Sequence, residues 1–206
     1  MVKQRGNPPD PADALQRPLR ADARRNVDAL FQAALTVFAN QGVDAPMRMI
    51  AAEAGVGVGT LYRHFPQRSD LIRALINREV DSCVAAATRA DKAQAPGDAL
   101  AAWVQRLVDL AATKRGLGPA LHSGDPAYQS LPHYVLGQLA PALQGLLDAA
   151  AAAGEIRAGM DARELVLATL RLASPASNGD VAEARRMVAL LFDGLRVGAT
   201  GRAHAG

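Results

Sequence analysis

One cysteine, Cys83, stands in the 206 residues. An intrachain disulfide is therefore excluded, and the chain is expected to work in a reducing, cytoplasmic compartment. Aromatic residues make up only 4% of the chain. No stretch shows the apolar–polar alternation of a half-buried strand, so sheet has little to build on. No apolar run nears the roughly 18–20 residues of a membrane-spanning helix, so no membrane partner is expected. The first residues carry charges and prolines where a secretory leader would carry an apolar core, so no leader is expected either. The Asp and Glu residues beyond position 79 are scattered and form no convergent polar cluster. No catalytic residues and no cofactor are therefore expected, and the protein does not read as an enzyme. His122 and His133 flank a loop but bring no further ligands with them, so no metal site is expected.

What the chain does have is helix. Half of its residues are apolar, and the excess is mostly Ala and Leu, both strong helix formers. Charge is uneven along the chain. Residues 1–78 hold 11 Lys/Arg against 7 Asp/Glu, and residues 79–206 hold 12 against 13. A basic front half suits a polyanionic partner. Residues 1–22, with their prolines and few large apolar groups, are expected to be a disordered tail. A first helix is expected from about Ala23 to Gln41, with Val27, Leu30, Phe31, Ala34, Leu35 and Phe38 on one face and Gly42 ending it.

Met47 to Arg68 reads as two short helices joined by Gly55-Val56-Gly57. That is the layout of a helix-turn-helix. Such a motif needs a small residue in its first helix and a glycine in its turn. Ala51 and Gly55 supply these, and Ile50, Val56 and Leu61 fill the space between the helices. The second short helix, Val58 to His64, is expected to stop before Pro66. Longer helices follow, the last two beginning at the N-cap candidates Asp161 and Asp180.

The run IAAEAGVGVGTLYRHFPQRSDLI, Ile50 to Ile72, resembles the N-terminal domain of the TetR family of bacterial transcriptional repressors. The resemblance covers about residues 24–72. It implies an all-α fold, with a three-helix helix-turn-helix DNA-binding domain at residues 23–67. A C-terminal helical domain for ligand sensing and dimerisation would occupy residues 68–200. It also implies that the helix of Val58–His64 enters the major groove of a double-stranded DNA operator. Tyr62 and His64 would then touch phosphates. Val58 and Gly59 occupy base-reading positions but donate no side-chain hydrogen bond, so Thr60 and Arg63 are expected to carry more of the reading. Arg48 and Arg68 would clamp phosphates on either side. The family often has Ser at the Gly57 position, capping the recognition helix. Glycine caps less well by a few tenths of a kcal/mol.

For the rear domain the resemblance implies a small-molecule effector and a homodimer. Trp103, Leu107, Tyr134, Leu136, Leu139 and Leu143 are candidates for an apolar pocket, although any one of them is better explained as plain core. Ala168, Leu172, Ala184, Val188, Leu191 and Leu195 are candidates for the dimer face, with Gly194 and Gly198 allowing close approach. Together these point to a ligand-responsive repressor that binds a pseudo-palindromic operator. The alternative is an architectural or activator-type DNA-binding protein with no small-molecule ligand.

Overall fold

The computed structural model describes residues 11–89, 95–113, 117–121, 123–173 and 180–196, with backbone alone at 11–21, 113 and 119. All regular structure among them is helical. The chain divides into two compact units, Met1–Arg68 and Ser69–Gly206.

In the first unit, α1 (Pro11–Gln41) packs on α2 (Met47–Glu53), and α2 packs on α3 (Val58–His64). The first helix begins a dozen residues earlier than its apolar stripe suggests, so residues 11–22 are helix and not a disordered tail. Pro11 sits in the first turn, where its missing N–H costs nothing, and Ala12, Ala14 and Leu15 favour helix. The rest of that tail, residues 1–10, lies outside the described residues. Leu30, Ala34 and Phe38 of α1 meet Ile50, Ala51 and Leu61 in a core with almost no solvent exposure. The rings of Phe31 and Phe65 lie 5.6 Å apart and tilted by 48°, within the contact distance of aromatic pairs.

The second unit holds α4 (Arg68–Arg89, entering from the first unit), α5 (Pro96–Thr113), α6 (Gly118–Leu121), α7 (Leu131–Ala152), α8 (Ala162–Leu172) and α9 (Val181–Arg196). A 3₁₀ turn, Pro126–Tyr128, precedes α7. Helix α5 is the hub and packs on α7, α8 and α9. Its Trp103 indole N–H donates to the Cys83 carbonyl at 2.8 Å, tying it to α4. Both late caps form. Asp161 Oδ1 accepts from the N–H groups of Arg163 and Glu164, and Asp180 Oδ1 accepts from that of Ala182. Glu155 reaches back to accept the Gly97 N–H at 2.9 Å, closing the first turn of α5 from outside it. The connection between α8 and α9, residues 174–179, falls outside the described residues.

Candidate nucleic-acid interface

The reading helix is short. Seven residues are too few to be stable alone in water, so α2 and α3 owe their placement to what they touch. Neither has a side-chain N-cap: Pro46 precedes α2 and Gly57 precedes α3. The turn between them depends on Gly55 at φ +66°, a left-handed conformation that a side chain disfavours. The Val56 N–H returns to the Ala51 carbonyl at 3.0 Å, folding the turn back on α2. Leu61 is the anchor: it is fully buried, while its neighbours around the helix are not.

That anchor leaves one face outward. Val58, Gly59, Tyr62, Arg63 and His64 are all exposed, and Thr60 is half-buried. Tyr62 is 48% exposed, with Phe65 behind the helix as core. Arg63 and His64 form a basic last turn. Arg48 on α2 is also exposed. Six of the eight expected DNA-contacting residues are thus exposed, and Thr60 and Arg68 are half-buried.

Arg68 has partners within the protein. Its Nη1 donates to the carbonyls of Val43 and Ala45, the latter at 2.7 Å. The side chain is half-buried and turned to the loop between α1 and α2. Two of the five guanidinium N–H donors are thus held by the loop.

With this geometry in view, comparison with known proteins is decisive. Residues 30–75 match the model "Bacterial regulatory proteins, tetR family", and residues 95–197 match "Transcriptional regulator SbtR-like, C-terminal domain". The chain is 39% identical to a TetR transcriptional regulator of Streptomyces coelicolor of known structure. That match covers 82% of this chain and 98% of the other, at a TM-score of 0.67. The chain belongs to the TetR family of bacterial transcriptional regulators. A TetR transcription regulatory protein of Mycobacterium vanbaalenii is similar too: 35% identical over 87% of this chain and all of its own length, at a TM-score of 0.65. A curated HTH-type transcriptional regulator of Staphylococcus aureus is 42% identical over 64 residues. That stretch is 31% of this chain and 35% of that relative. As a TetR-family regulator, this protein binds DNA through its N-terminal helix-turn-helix domain.

In the rear unit of this TetR-family chain, the pocket candidates are mostly buried. Leu107, Leu139 and Leu143 are fully buried and Trp103 nearly so. Tyr134 is partly exposed and donates to Asp81 Oδ1 at 3.2 Å. Burial, then the neighbouring Asp81 carboxylate, raises its phenol above the ordinary 10. None of these five lines either of the two concavities described in this unit. Leu136 borders the shallower one, beside Gly137, Pro141 and the start of α8. The more enclosed hollow, about 240 Å³, lies elsewhere, between Leu100 and Val104 of α5, Ile156, and Val188 and Phe192 of α9.

The dimer candidates divide as well. Ala184, Val188 and Leu195 are buried inside the subunit, Val188 completely. Ala168 and Leu191 are half-buried, and Leu172 is exposed. The large apolar residues that face water are Leu167 and Leu172 on α8 with Met187 and Leu190 on α9, Leu190 at 63%. A signal for them was present: Met187, Leu190, Leu191 and Gly194 form their own i, i+3, i+4, i+7 series. Helix α9 carries two apolar stripes, and the first one read is the one that builds the subunit's core. Gly198 and His122 lie outside the described residues. Among those described, no three metal-ligating side chains come together, and no helix is long and apolar enough to cross a membrane.

Proposed function

We propose that this TetR-family chain is a homodimeric repressor that is released from its operator by a small-molecule effector. The observation that carries the reading is the outward face of α3, with Tyr62, Arg63 and His64 in water and Leu61 locking the helix beneath them. Arg63 would reach a guanine edge or a phosphate. Thr60, Tyr62, His64 and Arg48 would bond the backbone on either side, and Val58 and Gly59 would lie against base edges. The effector is expected to be largely apolar. Family membership and the apolar hollow between α5 and α9 support this. Dimerisation is supported by the exposed Leu167, Leu172, Met187 and Leu190, which would make a four-helix contact with a second copy. The work would take place in the cytoplasm, where the DNA is.

A two-fold dimer reads inverted half-sites about one helical turn, roughly 34 Å, apart. The test is selection of duplexes from a random pool by the full chain. The selected sequences should contain an inverted repeat, and binding should weaken steeply with salt. Recovery of no sequence with salt-sensitive binding would overturn the reading. Run-off transcription from a promoter carrying the selected site separates repression from activation. A thermal-shift screen of apolar small molecules tests the effector, because a ligand at 100 times its Kd should stabilise the protein by about 2.7 kcal/mol.

A further inference from the structure

We propose that Arg68 is a positioning residue for the reading head: it fixes the α1–α2 loop, and through that loop the start of α2. The inference rests on the DNA-binding activity of the family and goes beyond it to how this particular head is held. Nη1 of Arg68 donates to two carbonyls one residue apart, Val43 and Ala45. Both belong to the connection between Gln41 and Met47, outside any helix. Their side chains are buried, so the loop is packed on one side and bridged by the guanidinium on the other.

The bridge matters because little else organises this stretch locally. Pro46 gives α2 no side-chain cap, and α2 has only seven residues. Its burial rests on Met47, Ile50 and Ala51, directly after the bridged loop. Arg68 also lies just past α3, three residues beyond Phe65 at its C-cap. One side chain thus links the chain immediately after the reading helix to the chain immediately before its supporting helix. Lysine could not do the same. Its nitrogen stops one bond short of the guanidinium's outer nitrogens, and it has no planar fork. It would, however, serve well as a point charge for a phosphate.

That difference supplies the experiment. Full-length Arg68→Lys and Arg68→Met are compared with the parent. One probe is a 30-bp duplex selected from a random pool by the parent, and the other is a mixed-sequence duplex of equal length. Affinities are measured across a salt series, and amide hydrogen exchange is followed at residues 43–54. On the positioning reading, both variants lose at least about 10-fold in affinity for the selected duplex. Mixed-sequence binding, which depends on charge, changes less than about 3-fold in the lysine variant. The salt slope stays at the parent value in the lysine variant, and exchange at 43–54 quickens in both variants. A phosphate role alone predicts the reverse: lysine matches the parent, methionine lowers the slope by about 1, and exchange is unchanged. That result overturns the proposal. So does an equal loss on both duplexes in the lysine variant, which would mark a general collapse of the head. If the parent selects no duplex, the DNA reading itself has failed. Hydrogen exchange still decides whether Arg68 organises the loop, and unchanged exchange overturns the proposal.

Discussion

Two helix pairs in this molecule each leave a face uncovered, and the faces are chemical opposites. Helix α3, backed by α2, turns Tyr62, Arg63 and His64 to solvent and keeps a single leucine, Leu61, beneath. Helices α8 and α9 turn Leu167, Leu172, Met187 and Leu190 to solvent and keep Val166, Val188 and Leu195 beneath. A basic, hydrogen-bonding face remains hydrated without cost and selects a polyanion when one arrives. An apolar face pays for every Å² it leaves in water and favours covering by a like surface. The comparison therefore separates the two kinds of partner by physics: a polyanion suits the front, an apolar surface the rear.

The largest effect should come from removing the anchor of the front face. Leu61→Ala empties a fully buried site in a seven-residue helix. It should cost about 2–5 kcal/mol of stability and abolish DNA binding, as read by chemical denaturation and anisotropy. The rear face is broken differently. Replacing Met187 and Leu190 together with Glu should weaken self-association by about 3 kcal/mol or more, seen as a halved mass in sedimentation with helicity unchanged. Its counterpart Val188→Ala, on the buried stripe of the same helix, should lower folding stability by about 2 kcal/mol and leave the dimer mass as it was. If the outcomes of these two variants are exchanged, the assignment of stripes on α9 is wrong.

Smaller effects sharpen the picture of the front face. Arg63→Ala should reduce operator affinity by about 1–3 kcal/mol and relax preference at one base position, whereas Arg48→Ala should weaken all sequences alike and lower the salt slope by about 1. Smallest of all, Gly57→Ser should restore a cap to α3. A Cβ there meets only Thr60 Oγ1, at 3.9 Å, so there is room. A gain of a few tenths of a kcal/mol is expected in thermal unfolding. A loss would mean that the glycine is kept for close approach to DNA or for another contact.

How much of this was legible beforehand differs between the same two regions. The front was legible because its signals are local. Gly55 turns at positive φ, Ala51 permits close approach, and Leu61 alone points inward from α3. Each follows from residues within a few positions of one another. The start of α1 was not legible, because proline-rich segments favour coil in general and only the formed helix shows Pro11 as its opening residue. In the rear unit the helices were legible and their orientation was not. An apolar stripe states that a face is buried but not against what, and α9 has two such stripes.

By itself, then, the order of residues determined the all-helical character, the family and the outward chemistry of α3, since each depends on short-range spacing. Tertiary structure alone decided which stripe of α9 faces its own subunit and where the apolar hollow lies. It also decided that Arg68 turns to the carbonyls of Val43 and Ala45. Those choices depend on which elements, distant in sequence, come to lie against one another, and hydrophobic burial has no direction until they do.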